Sequence, residues 1–305
     1  MEKIILNGKV VSEEKAVISI SSLGFTLGAS VFEACRVYWN EAKAEYIIFR
    51  IKDHINRLYN SAKIMRMNLE YTKKEVLDMI ILLVKSWNKR QDGYIRITIF
   101  VKSKSPGSSV YHPDQVQTGI CITLKESEAF SDAYKGIKCC ISSWRKIEDN
   151  SMPPRIKSAC NYENTRLAGH EAILNGYENA ILLNRLGKIS EAAESSVFII
   201  DEAGVLHTPE TNSDILESIT RDSIIKLWRG RGNRVIQRMI DRTELYLAKE
   251  IFLANTAKLI RPVISVDHYT IGNGNIGKIT QQIQNCFFEV ATGQNLLFIE
   301  SSEIV

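Results

Sequence analysis

Apolar residues change their period along the chain, and the changes predict its elements. Lys3-Ile-Ile-Leu6 and Val10-Val11 flank Asn7-Gly8, a pair able to take the positive φ angles of a tight turn, so the spacing predicts a β-hairpin. Strands are expected over 31–38 and 46–49, joined by a polar turn at Asn40-Glu41. From Ile51 to Met67 apolar residues fall at 51, 55, 58, 62 and 65, which is helical spacing. A second helix is expected from Thr72, where Thr72-Lys-Lys-Glu75 fits a capping box, to about Trp87. Residues 94–101 read as a buried strand, and 102–118, rich in Ser, Pro, Gly and charge, as a loop between domains. Further strands are expected near 119–124, 137–142, 179–184, 196–200, 251–254 and 260–266, and helices near 162–175, 219–229 and 277–291. Leu186-Gly187 and Gly204 read as turns. This order predicts an α+β chain with two differently built lobes, 1–118 and 119–305, and an interdomain loop within about 102–136.

Composition narrows the class. The 305 residues are 45% apolar and 24% charged, close to soluble globular averages. Thirty-nine basic and 35 acidic residues leave a net charge of +4, too balanced to imply a nucleic-acid or membrane-surface partner. The N-terminus lacks the apolar core of a signal peptide, and the longest apolar run, Met79 to Val84, is far shorter than a membrane span. Six cysteines at 35, 121, 139, 140, 160 and 286 include no C-x-x-C pair, which excludes zinc-ribbon and thioredoxin readings. A reduced, cytoplasmic enzyme is the expectation.

Two motifs read as decoys. Gly272-Asn-Gly274-Asn-Ile-Gly277 matches the dinucleotide fingerprint, but too little chain follows for a second βα unit, so it reads as a loop feeding the last helix. Lys226 to Arg238 carries five basic residues and one aromatic and reads as a solvated helix end and turn. The histidines at 54, 112, 170, 207 and 268 are scattered, so no metal site is expected. Neither G-x-S-x-G nor a P-loop occurs.

The segment from Pro154 to Leu167 places Lys157 among small and apolar residues just before a helix. Partial desolvation there disfavours the ammonium form and favours a nucleophilic amine. Alone, it reads as a surface strand lysine. Its company changes that reading: Ile189-Ser-Glu191, then Val197-Phe198, Leu206-His-Thr208, and Leu216-Glu-Ser218-Ile-Thr-Arg221.

This layout closely resembles the fold-type IV pyridoxal-phosphate enzymes, the aminotransferase class IV group. The resemblance covers nearly the whole chain and departs at Ser196, where the pattern has asparagine. It implies a two-lobed fold with a small N-terminal α/β lobe and a larger C-terminal lobe with a barrel-like sheet and helices. It also implies that Lys157 bonds covalently to the aldehyde carbon of pyridoxal 5′-phosphate (PLP) and, once freed, moves the substrate's proton. Glu191, rather than nearby Glu194, is then the partner of the pyridine nitrogen. Tyr162 matches the tyrosine on the cofactor's phenolic oxygen, and Arg57 the phosphate-binding arginine. Ser218, Ile219 and Thr220 match a helix-terminal phosphate cradle, with Thr256 at the other phosphate position.

Within the family, Asn161-Tyr162 and Gly28-Ala-Ser-Val-Phe-Glu33 are most similar to branched-chain aminotransferases. By that resemblance Phe32 is an apolar pocket wall, Tyr94 and Arg96 approach substrate carboxylates, and Ala257 lies at the substrate. The implied reaction moves an amino group from an L-amino acid to a 2-oxo acid such as 2-oxoglutarate, in a homodimer. The alternatives on the same fold are D-amino-acid transfer and aminodeoxychorismate-type β-elimination. Ser158-Ala159-Cys160, Asn255 and Lys258 depart from the branched-chain pattern and imply an altered pocket favouring a more acidic or polar substrate.

Overall fold

Asn7 and Gly8 take φ angles of 49° and 78°, so β1 (Lys3–Leu6) and β2 (Lys9–Ser12) form the expected hairpin, with Leu6 opposite Lys9. The computed structural model describes residues 3–103, 112–127 and 134–305. Much of the loop expected within 102–136 therefore lies outside the described residues. The chain divides into two units.

The first unit comprises Met1–Glu128, Ile156–Cys160 and Val290–Val305. After a single helical turn, α1 (Leu23–Thr26), its strands are β3 (Ser30–Asn40), β4 (Glu45–Ile48), β5 (Gly93–Val101) and β6 (Thr118–Glu126). They form an antiparallel sheet in which β3 lies between β4 and β5, and β6 links β5 to the hairpin. Helices α2 (Ile51–Ile64) and α3 (Lys73–Lys85) bury one stripe each against it. Both are shorter than their apolar periods predict. The capping box is present: Glu75 N–H donates to Thr72 Oγ1 at 3.2 Å and Thr72 N–H to Glu75 Oε2 at 2.7 Å. A lobe boundary at 118 falls short, because β6 pairs along β5 from Thr118 to Glu126 and belongs to this sheet.

The second unit comprises Ala129–Arg155 and Asn161–Glu289. Its strands are β7 (Ile137–Arg145), β8 (Asn179–Leu183), β9 (Ile189–Ala192), β10 (Ser196–Ile200), β11 (Leu206–Thr208), β12 (Val235–Gln237), β13 (Glu250–Asn255), β14 (Leu259–Val266) and β15 (Tyr269–Thr270). Its helices are α4 (Asn161–Leu174), α5 (Ile219–Gly230), the short α6 (Glu244–Leu247) and α7 (Lys278–Ala291). The sheet runs β12-β11-β10-β13-β14-β7-β8-β9, with β15 on β14. β9 and β10 are far apart in that order, yet a tight turn joins them and Ala192 N–H donates to Ser195 O at 2.8 Å. The sheet therefore curls back on itself, which gives it the expected barrel-like form.

The glycines of the fingerprint decoy have a structural reason. Glu250, buried on β13, accepts the N–H groups of Ile279 and Thr280 and the Thr280 hydroxyl at 3.1, 2.7 and 2.7 Å. It caps α7 with a carboxylate, so that helix end already holds its anion. A side chain at Gly277 would place Cβ 1.9 Å from Glu250 Cδ. The C-terminal residues form β16 (Glu303–Ile304), which pairs with β4 in the first unit. No described helix is long and apolar enough to cross a membrane.

Candidate functional site

In the first unit, Lys157 lies on the short strap Ile156–Cys160. The pairing of β4 with β3 begins only at Val37, which leaves the other end of β3 for the strap. There Phe32 N–H donates to Lys157 O at 2.9 Å, and Ala159 N–H to Ser30 O at 3.3 Å. Lys157 N–H donates to Ser61 Oγ of α2 at 3.1 Å. Its Nζ stands 4.9 Å from the Phe32 ring centre, while the Arg96 guanidinium lies 3.8 Å from the same ring. Two cations thus share one aromatic ring. Phe32 and Arg96 share a sheet face with Tyr94, since residues opposite in an antiparallel pair point the same way.

The opposite face carries a charge cluster that the sequence reading missed. Buried Glu33 accepts Arg57 Nε–H at 2.6 Å on Oε1 and Arg57 Nη2–H at 2.9 Å on Oε2, and His54 Nδ1 lies 2.7 Å from Oε2. His54 and Arg57 are three residues apart and so share one face of α2. Burial alone would raise the Glu33 carboxyl, but the Arg57 charge and the His54 contacts outweigh it and hold it well below the usual carboxylate range. Burial pushes His54 below the ordinary histidine value against the pull of Glu33, with Arg57 and Lys157 adding to the decrease. His54 is thus a neutral ring donating from Nδ1.

In the second unit, Glu191 on β9 is buried and its two oxygens are separately held. Oε1 pairs with the Lys146 ammonium just beyond β7, and Oε2 accepts Leu216 N–H at 3.1 Å. Two residues on, Ser218 caps α5 by accepting Arg221 N–H at 3.2 Å. The hydroxyls of Thr220, in the first turn of α5, and Thr256, after β13, stand 3.4 Å apart. A buried carboxylate and a helix N-terminus with two hydroxyls are therefore linked by one short turn, Leu216–Ser218. This donor set suits a flat ring with a basic nitrogen and a phosphate. The motif's other members hold the back of α5. Buried Arg221 donates to Thr208 Oγ1, Pro209 O and Gln237 Oε1 at 3.2, 2.6 and 3.0 Å, and burial lowers it to about 10.

Tyr162, in the first turn of α4, lines a groove of about 490 Å³ with Glu194, Asn255 and Lys258. Asn255 sends Nδ2 to Glu194 O and Ser195 Oγ at 3.1 and 2.9 Å, and its Oδ1 accepts Lys258 N–H at 2.5 Å. This departure from the branched-chain pattern therefore staples two turns, with Ala257 inside the second. Ser158 and Cys160 tie the strap to the rest of the first unit: Ser158 Oγ donates to Ser30 O at 3.0 Å, and Cys160 Sγ lies 3.3 Å from Gly28 O. Ser196, where asparagine was expected, has a buried Oγ with no hydrogen-bond partner among the described residues.

The structure thus brings Lys157, Phe32 and Arg96 together in one unit, and Glu191, Ser218, Thr220 and Thr256 in the other. Arg57 stands with Glu33 and His54, and Tyr162 with the groove. Sequence reading quoted Glu33 without a role, set His54 aside as scattered, and passed over Lys146. The three-residue spacing of His54 and Arg57 was the usable signal for the first cluster. Lys146 meets Glu191 only through the strand order β7-β8-β9, which leaves no local pattern.

Residues 30–266 match the family described as amino-transferase class IV. The chain is 38% identical over 297 residues to a probable branched-chain-amino-acid aminotransferase of Aquifex aeolicus, covering 96% of this chain and 94% of that one. It is 36% identical over 291 residues to the branched-chain-amino-acid aminotransferase of Escherichia coli, covering 94% and 92%. Its fold is similar to the branched-chain amino acid aminotransferase of Thermobaculum terrenum in its PLP form, with a TM-score of 0.92 at 35% identity and 99% and 98% of the chains covered. The motifs, the curled sheet with its carboxylate and helix cradle, and this agreement along nearly the whole length lead to one conclusion: the protein belongs to the amino-transferase class IV family.

Proposed function

We propose that this protein is a PLP-dependent aminotransferase that moves the amino group of a branched-chain or related L-amino acid to a 2-oxo acid such as 2-oxoglutarate. One observation carries the reading: Glu191 and the α5 N-terminus with Thr220 and Thr256 form a single linked donor set in the second unit. PLP, when bound, supplies an aldehyde carbon for amines and an electron-accepting ring. Glu191 would hold the ring nitrogen's proton. The amides of Ile219 and Thr220, with the two threonine hydroxyls, would hold phosphate oxygens. Arg57, its fork aimed by Glu33, would add a guanidinium to that phosphate. Tyr162 would donate its hydroxyl to the cofactor's phenolic oxygen.

Lys157 would take the proton from the substrate's Cα and return it on the other side of the transfer. Its Nζ stands over the Phe32 ring, at the end of β3 that the strap completes. Phe32 would wall the substrate pocket, Arg96 and Tyr94 would receive a second carboxylate, and Ala257 would place the first. This arrangement suits an amino acceptor with two carboxylates alongside an apolar donor.

A homodimer fits the exposed apolar run Val17, Ile18, Ile20, Phe25 and Leu27. A reduced cytoplasmic setting fits six free thiols, Cys139 and Cys140 adjacent among them. Purified protein incubated with PLP should turn yellow, and Lys157→Ala should abolish the visible band. A panel of L- and D-amino acids against 2-oxoglutarate and pyruvate then reads the substrate. Conversion of D-donors alone, or pyruvate release without an acceptor, would overturn the assignment.

A further inference from the structure

Lys146 is placed as no surface lysine would be. It follows β7 directly, its N–H donates to Leu183 O of β8 at 2.9 Å, and its ammonium is paired with Glu191 Oε1. The side chains are 6% and 10% exposed, the only ion pair of the second unit among the described residues with both partners about nine-tenths buried. A pair this dry does little for stability, since apolar groups of the same volume are often as good. What it does supply is orientation. With Oε1 on Lys146 and Oε2 on Leu216 N–H, the carboxylate is held at both oxygens, and the cation balances its charge.

We propose that Lys146 is a positioning residue for the cofactor: it holds Glu191 aimed and charge-balanced before the ring arrives, and so sets the affinity for PLP. The inference rests on the reading of Glu191 as the partner of the ring nitrogen. Lys146 directly follows β7 and Glu191 lies on β9, with β8 between those strands, so the sheet itself fixes their separation. Arginine at 146 keeps the charge and reach, whereas methionine keeps the bulk alone.

The test is a set of variants of the full chain, Lys146→Met, Lys146→Arg, Glu191→Gln and Lys146→Met/Glu191→Gln. PLP affinity of each apoenzyme is measured by fluorescence quenching, and the bound cofactor's absorption is recorded. Lys146→Met should weaken PLP binding by about 10–100-fold, the range found when a group orienting a metal ligand is removed, and Lys146→Arg should restore most of it. Because Lys146 acts through Glu191, the double variant should bind PLP within about twofold of Glu191→Gln alone. The double variant carries no unpaired buried charge, so this comparison decides the matter even if Lys146→Met does not fold. Wild-type affinity in Lys146→Met, or losses that multiply in the double variant, overturns the proposal. A wild-type protein that binds no PLP fails the functional reading instead.

Discussion

Replacing Glu33 by glutamine changes one atom and should unsettle a whole unit. The carboxylate receives two N–H groups from Arg57 and one from His54, all within 2.9 Å and away from water. Charge-assisted hydrogen bonds contribute about 1.5–3 kcal/mol each, but the three share one group, so the deletions are not additive. Breaking a buried pair while leaving its cation in place costs about 3–5 kcal/mol. Glutamine retains one acceptor and turns its own N–H groups towards the guanidinium, which argues against the low end. For a unit of this size each kcal/mol lowers the melting temperature by about 2–4 °C, so the expected drop is about 6–20 °C. Thermal melts of the PLP-loaded protein followed by circular dichroism measure it. Loosening Arg57 should also weaken PLP binding, so titration of the apoenzyme gives an independent reading. A variant that melts with the wild type and binds PLP equally well would refute the idea that Glu33 aims Arg57.

Gly277→Ala should destabilise the second unit by about 1–3 kcal/mol, as overpacking does, because the new Cβ meets the Glu250 carboxyl that caps α7; an unchanged urea midpoint counts against that cap. Acid should weaken the first unit in two stages. The folded state binds protons on His54 and Glu33 less readily than the unfolded chain does, so their contribution is complete above the unfolded values of 6.5 and 4.5. It falls as pH drops, first through His54 and then through Glu33, by up to about 1.4 kcal/mol per pH unit for each group. Urea midpoints from pH 7.5 down to about 2.5 measure this, and His54→Gln should flatten the upper stage only.

What was legible in the chain was local or repeated. Asn7-Gly8 and the Thr72–Glu75 box encode their own geometry, and the apolar period of α2 survives in the structure. The constellation from Lys157 to Arg221 was legible because its members keep fixed order and spacing. Lys146 and Glu191 are separated along the chain by helix α4 and strand β8, and only the strand order β7-β8-β9 brings them together. The grouping of residues 156–160 with the first unit, and of β16 with β4, depends on pairings across more than a hundred residues. No window of sequence carries such information. The boundary near 118 failed for the same reason: β6 is assigned by its partner β5, not by the composition before it.

The strap that carries Lys157 has a consequence for engineering and for ancestry. The first unit is woven from three stretches of chain, and the reactive amine rides on the middle one. Cutting the gene after Glu128 would leave the Ser30–Phe32 end of β3 without Ile156–Cys160, and β4 without β16. Both would be bare strand edges, prone to pairing with other chains. The halves are therefore not cassettes. Neither can be borrowed, swapped or inherited alone, and a chimera between two such proteins must exchange the strap together with the sheet it completes.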